Sequence, residues 1–321
     1  FSEIDQMSRY SLTSFFKRHI QMQNNGGIRF SAPPSEMSIH PGIKPLNPPK
    51  IRVNIILFFI TFFTTTWAQH GSGDYLYQRL LGGLPYSLTL MSILAFHEFG
   101  HYFAARKFGV DATLPYFIPF PSLIGTMGAV IKTKSPIPHR RALFYIGAMG
   151  PLPGFIVSLA AVIAGIYMSD VRPLIPEEPG TVLSYGESLL FTFIVHCIHG
   201  NVASGSDVFL HPVAFAGWIG FLLTSLNLMP AGQLDGGHVL HSLIGSRQRY
   251  AGWITLAVLL VLSFYWPGWI VWIIIILALV KVGHPYVHEA GIKLTFTEKV
   301  TGWICMLILV LTFVPVPVTI L

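Results

Sequence analysis

The sequence predicts an all-α polytopic membrane protein with six transmembrane helices, or seven if one apolar stretch folds as a helical hairpin. A short β-hairpin or loop is expected to dip toward the membrane after the second helix. Three observations carry this reading. Only 11% of the 321 residues are charged and 52% are hydrophobic, whereas a soluble domain carries roughly 25% charge and needs it to cover a water-facing surface. The apolar residues fall in long blocks, as a bilayer solvent requires. Between two of the blocks, residues 114–138 are apolar but interrupted by Pro115, Pro119, Pro121, Gly125 and Gly128, too many breakers for a membrane helix.

Taken in order, residues 1–50 are a polar extension, expected to be partly disordered. It carries Asn24-Asn25-Gly26-Gly27, several prolines, no cleavable signal peptide and room for a short helix over residues 10–23. Residues 51–321 form the membrane-embedded domain. Its apolar blocks cover about 53–68, 86–108 and 142–168, the last long enough to span with tilt. A shorter block at about 188–198 reads as interfacial or re-entrant, and the next, about 212–228, stops before Pro230. Residues 250–281 are apolar around Trp266-Pro267-Gly268 and form either one kinked helix or a tight helical hairpin. A last block covers about 303–321. Trp266, Trp269, Trp272 and Trp303 suit interfacial belts. Within the broken stretch, Gly128-Ala129-Val130-Ile131-Lys132-Thr133 reads as a strand. Irregular backbone of this kind is tolerated at membrane depth where protein buries it or it lines a wet cavity.

The formal net charge is +6, with the basic residues gathered at the ends of apolar blocks. That placement points to the lipid bilayer and its headgroups as partner, not to nucleic acid. Arg106, Lys107, Lys132, Lys134, Arg140 and Arg141 follow the second block, and Lys44, Lys50 and Arg52 precede the first. Asp170, Glu177, Glu178 and Glu187 outnumber Arg172 after the third. The positive-inside rule therefore places the N-terminus and residues 106–141 in the cytoplasm, and a bacterial plasma membrane is the expected location. Cys197 and Cys305 each sit in an apolar run without paired spacing, so neither a disulfide nor a zinc knuckle is expected.

The strongest chemical signal is His97-Glu98-Phe99-Gly100-His101. On a helix, positions i and i+4 share a face, so both imidazoles can reach one ion. Zinc suits neutral imidazole and keeps one position open for water in a catalytic site. It lowers the pKa of that water from about 16 to about 7, and Glu98 is placed to act as general base. A charge at the centre of an apolar helix costs roughly 2.5–3.5 kcal/mol on insertion scales, which chance occurrence does not explain. A third ligand is sought in Asn227-Leu228-Met229-Pro230-Ala231-Gly232-Gln233-Leu234-Asp235-Gly236-Gly237-His238, where helix breakers free backbone in a buried place. Asp235 alone reads as a helix cap; beside a two-histidine helix it reads as a ligand. Asn227 is placed to donate to an oxyanion or to substrate backbone, its structural alternative being an interhelical hydrogen bond.

These motifs resemble the site-2 protease family of intramembrane metalloproteases. The likeness rests on His97–His101 with Asn227-Leu-x-Pro and Leu234-Asp235-Gly236, on Gly147-Ala148-Met149-Gly150-Pro151, on the Gly125–Ile131 stretch and on Phe313-Val314-Pro315-Val316-Pro317. It covers about residues 50–321, with no room for an inserted PDZ domain and no appended CBS pair. The resemblance implies one zinc per chain bound by His97, His101 and Asp235, Glu98 as base, and cleavage of single-pass membrane protein substrates within the bilayer. An edge formed by Gly125, Gly128, Ala129, Val130 and Ile131 is expected to hold unwound substrate by β-augmentation.

His196-x-x-His199 offers i,i+3 spacing but suits packing better than a metal. His238 is a candidate to support the ligands from behind, and His284-Pro285 reads as a turn. Gly147, Gly150 and Gly154 suggest close helix packing. Two other functions fit parts of the sequence: a zinc transporter, since buried His and Asp also mark ion pathways, and a proteolytically inactive protein that holds membrane helices. Transport predicts polar residues repeated along several spans, whereas here they collect at one place. The sequence sets no oligomeric state.

Overall fold

The computed structural model describes residues 51–71, 74–173, 183–280 and 293–320. The polar extension over residues 1–50, its short helix, Glu177, Glu178 and the His284-Pro285 turn lie outside the described residues. The architecture is mostly helical. Helix α1 (Ile51–Ala68) leads to α2 (Leu76–Lys107), and strands β1 (Tyr116–Pro119) and β2 (Thr126–Val130) follow. Next come α3 (Arg140–Ala148), α4 (Pro151–Tyr167), β3 (Asp170–Pro173), β4 (Leu183–Tyr185), α5 (Leu189–His199) and β5 (Ser206–Phe209). Then α6 (Pro212–Leu228), α7 (Asp235–Ile244), α8 (Gln248–Leu262), α9 (Gly268–Ile275) with a π-helical extension (Ile276–Val280), α10 (Phe296–Thr312) and β6 (Val318–Ile320) complete the chain.

Among the described residues, three helices are able by length and composition to cross a membrane: Ile51–Ala68, Leu76–Lys107 and the composite Arg140–Tyr167. Apolar helices at Leu189–His199, Pro212–Leu228 and Gly268–Ala278 are shorter. The outer faces carry many exposed large apolar side chains, among them Ile55, Phe59, Phe63, Ile156, Trp253, Leu260, Ile274 and Leu307. So many exposed apolar side chains suit a lipid surrounding better than water. Helix α1 shows the inversion most clearly: Asn54, Thr61, Thr65 and Thr66 are its buried residues, its isoleucines with Phe59 and Phe63 are exposed, and Phe58 and Phe62 are partly buried against the core.

The centre is a packing of α4 on α6, with α2 against both. Gly165 meets Ala214, Gly217 meets Val162 and Gly220 meets Ser158, so the backbones approach as closely as small residues allow. Tyr86, Leu90, Val162, Ile166, Phe215, Ile219 and Phe221 fill the core around this contact.

The expected block at 142–168 is not one helix. It breaks at Met149-Gly150-Pro151, where proline, lacking an N–H, takes the first position of α4. The stretch at 250–281 consists of two helices on either side of Trp266-Pro267-Gly268, and Leu256 and Leu259 of α8 share a cluster with Trp269 and Ile276 of the α9 segment. Strand β2 begins two residues before the predicted run and ends at Val130, and pairing resumes beyond it as the Ala112–Thr133 bridge. β1 and β2 are antiparallel, with Tyr116 opposite Val130 and Phe117 opposite Ala129.

Candidate metal centre

His97 and His101 lie one turn apart on α2, both buried, with ring centroids 4.8 Å apart. His101 Nδ1 is 2.6 Å from the Ile146 carbonyl on α3. A carbonyl only accepts, so Nδ1 carries the proton and Nε2 presents its lone pair. That lone pair faces His97 Nε2 at 3.0 Å and Asp235 Oδ2 at 3.2 Å; His97 Nε2 is 3.4 Å from the same oxygen. A lone pair set against a carboxylate in a buried site calls for a cation between them. Metal–ligand bonds near 2.0–2.1 Å in tetrahedral geometry put ligand atoms about 3.3 Å apart, so the donor set fits zinc in both chemistry and spacing. Among the described residues, these three are the group able to hold a metal ion.

Local sequence explains how the two ligand helices, α2 and α7, reach one point. The α3–α4 break lies directly on the histidines. A Cβ at Gly150 would overlap the His101 imidazole, one at Gly154 would press on His97, and one at Gly100 would meet the Met149 carbonyl. Gly147 plays the same part toward α7, where a Cβ would meet His238 and the Asp235 carbonyl. The expectation of close packing at Gly147, Gly150 and Gly154 thus acquires a purpose: these glycines let α3 and α4 lie against the ligand helices. Helix α6 stops at Leu228, and α7 starts seven positions later at Asp235 itself. Gly236 and Gly237 pass so close to the Leu228 and Gly232 carbonyls that neither tolerates a side chain.

Two side chains brace that loop and helix. Gln248, fully buried, donates from Nε2 to the Pro230 carbonyl at 2.9 Å. Arg140 donates to the Ser242 and Leu243 carbonyls at 2.6 and 2.9 Å, satisfying acceptors left free at the end of α7. Neither was singled out from sequence as part of the site; Arg140 was read only as an orientation charge. Gln248 stands in the polar Gly245-Ser246-Arg247-Gln248-Arg249 turn, eleven residues beyond Gly237, and nothing in the sequence marked it.

Glu98 is buried beside the metal ligands, and the Ile131 backbone amide lies next to its carboxyl. Lys132 directs its N–H to Thr113 Oγ1 and its carbonyl to the Thr113 N–H, each at 3.0 Å, both toward the β1 side. Successive residues of an extended chain turn their peptide groups to opposite edges. Ile131 therefore presents its N–H and carbonyl to the other edge, where Glu98 lies and where the two-stranded sheet has no further strand among the described residues. Asn227 Nδ2 stands 3.4 Å from His97 Nε2, which places its amide beside the ligands.

The remaining candidates separate. Gly125 packs on α1 with φ +82°, and its carbonyl already accepts from Thr64 Oγ1 at 2.7 Å and the Phe120 N–H at 3.3 Å. It is thus occupied where the sequence expected it to meet substrate. The Gly128 N–H and carbonyl likewise meet Thr126 Oγ1, at 2.9 and 3.2 Å, which leaves Ala129, Val130 and Ile131 on the strand that passes the site. His199 Nε2 contacts the Ile166 carbonyl at 2.9 Å, His196 is exposed, and neither belongs to the metal-binding group.

Several proteins named as probable zinc metalloproteases are similar to this chain. The probable chloroplastic zinc metalloprotease EGY1 of Arabidopsis thaliana is 33% identical over 176 residues, 54% of this chain and 32% of the relative. EGY1 of Oryza sativa subsp. japonica is 33% identical over 195 residues, 58% of this chain and 33% of the relative. EGY2 of Arabidopsis thaliana is 30% identical over 171 residues, 53% and 30% respectively. The matched region spans about a third of the length of these relatives. Their names place them in chloroplasts, so the expectation of a bacterial plasma membrane finds no support in them. No solved structure matches the chain. The family model described as Peptidase family M50 matches residues 85–264, which include His97, Glu98, His101, Asn227 and Asp235. The chain belongs to Peptidase family M50, the site-2 protease family.

Proposed function

We propose that the chain is a zinc-dependent intramembrane endopeptidase that hydrolyses peptide bonds of single-pass membrane proteins. One zinc is held by His97 Nε2, His101 Nε2 and an Asp235 carboxylate oxygen. The observation that carries this reading is the convergence of those three atoms beside a buried Glu98 and beneath an open strand edge.

Bound zinc supplies Lewis acidity to the scissile carbonyl and to the attacking water. Glu98 takes a proton from that water and delivers it to the leaving amide nitrogen. The Asn227 amide, beside His97, donates to the oxygen on which negative charge develops. A substrate helix hides its carbonyls in internal hydrogen bonds, and once unwound in a bilayer its polar groups need partners. The free edge at Ala129 and Ile131 supplies them and would lay the extended chain beside the candidate ligands. A zinc transporter fits less well, because the buried polar groups gather at one point and Glu98 is not among the ligands.

The direct test is incubation of purified protein with a synthetic transmembrane peptide. Cleavage is expected with zinc present, lost on chelation and regained on zinc addition. Cleavage unaffected by chelation would reject the reading, and zinc flux into sealed vesicles without cleavage would favour transport.

The membrane arrangement attached to this reading has seven spans, with α8 and α9 each crossing. Arg141 pairs with Glu298 at 2.5 Å, so the starts of α3 and α10 lie together at one end. Trp269 Nε1 donates to the Pro315 carbonyl at 2.7 Å, so the start of α9 and the end of α10 lie together at the other. A single kinked α8–α9 span would put Arg141 and Glu298 on opposite faces. Cysteines introduced at Lys134 and Lys299 should therefore label from the same side of sealed vesicles; labelling from opposite sides would return the count to six. The cationic segment over residues 106–141 is assigned to the cytoplasm-like face by charge.

A further inference from the structure

Between the Ala112–Thr133 bridge and the Tyr116–Val130 pair, the first strand side has three residues and the second has two. The extra residue is a bulge at Leu114-Pro115, directly behind Ile131. Proline cannot donate, so the ladder breaks there, and two consecutive carbonyls lose their ladder partners in a buried place. Both are recovered by one side chain from another helix. Asn54 Nδ2 lies 3.0 Å from the Leu114 carbonyl and 2.8 Å from the Pro115 carbonyl, and Asn54 is buried. An asparagine within the first apolar helix is costly there unless it is used. The far end of the hairpin is fastened separately, by the Tyr86 hydroxyl on the Ile124 carbonyl at 2.9 Å and Thr64 on Gly125.

We propose that Asn54 is a positioning residue that sets the register of bound substrate. By filling the gap behind the bulge it fixes Ile131, whose peptide group faces Glu98, and so decides which substrate bond lies at the metal. Bulges recur beside active sites because they re-aim the strand that carries them. This inference rests on the protease reading above and adds a determinant of where the cut falls, which neither the metal ligands nor Glu98 supplies.

The test compares wild type, Asn54→Leu, Asn54→Ala and the control Tyr86→Phe, all zinc-loaded, on one transmembrane peptide, with products mapped by mass spectrometry. Wild type is expected to cut at one dominant bond. Both Asn54 variants should keep zinc, cut roughly tenfold more slowly, and spread cleavage over neighbouring bonds. Tyr86→Phe, which loosens the hairpin away from the bulge, should lower stability and leave the dominant bond unchanged. A second measurement does not need turnover: in a Glu98→Gln background, a photoreactive residue beside the scissile bond should cross-link to residues 129–131, and Asn54→Leu should scatter the linkage.

Asn54 variants that cut more slowly at the unchanged bond would make the residue merely structural and overturn the inference. Loss of zinc from both variants would do the same, by assigning Asn54 to folding. Cross-links that avoid residues 129–131 in the Asn54 parent would remove the edge on which the inference depends. A wild-type protein that cuts nothing with zinc present would instead reject the functional reading, and this inference with it.

Discussion

Replacement of Glu98 by Gln is expected to leave zinc content and fold unchanged while reducing cleavage of a membrane peptide by at least about 10²-fold. Glu98 is not one of the three converging ligand groups, so the metal has no reason to leave. Glutamine keeps the size and shape of the side chain, and its amide fills the same buried space beside Ile131. What it lacks is the ability to accept a proton from water and return it to the leaving nitrogen. The measurement is metal content by atomic spectroscopy together with single-turnover cleavage. Wild-type rates in Glu98→Gln would remove Glu98 from the chemistry; loss of zinc would make it a ligand. Either result would contradict the roles assigned here.

The second large effect is expected for Asp235→Ala. Its carboxylate stands within 3.2–3.4 Å of both imidazole nitrogens, and without it the site keeps only two protein ligands. Catalytic zinc sites generally use three, so zinc content should fall to a small fraction of one per chain. The stabilisation that zinc confers should disappear as well: a ligand at 100 times its Kd adds about 2.7 kcal/mol. A thermal scan of wild type with and without zinc should therefore show a shift that Asp235→Ala lacks. The variant should still fold, because α7 is held at its other end by Arg140 and its preceding loop by Gln248. Full zinc occupancy in Asp235→Ala would mean that another side chain, His238 one turn along α7 being the nearest in sequence, completes the site.

The part of this centre that sequence could determine is the part governed by spacing along the chain. His97 and His101 share a helix face at any i,i+4 spacing, and ionisable groups in an apolar helix are conspicuous because their burial is costly. Asp235 was legible because it stands among helix breakers at membrane depth, where a carboxylate requires a partner. The hairpin stretch declared itself through Pro115, Pro119, Gly125 and Gly128, which no membrane helix accommodates.

Tertiary structure decided whatever depends on a neighbour distant in sequence. The break at Met149-Gly150 within an apolar block is favoured because Gly150 must clear His101, about fifty positions earlier. Gly125 and Gly128 look alike in sequence, yet Gly125 is pinned against Thr64 and Thr65 while a Cβ at Gly128 would meet nothing. Asn54 gave no motif, since its two carbonyl partners lie sixty and sixty-one residues away and exist as acceptors only because a bulge interrupts the ladder there. Periodicity reports which face of an element is buried. The atom across that face is chosen by packing, and in a bilayer every freed backbone group must find such an atom within the protein.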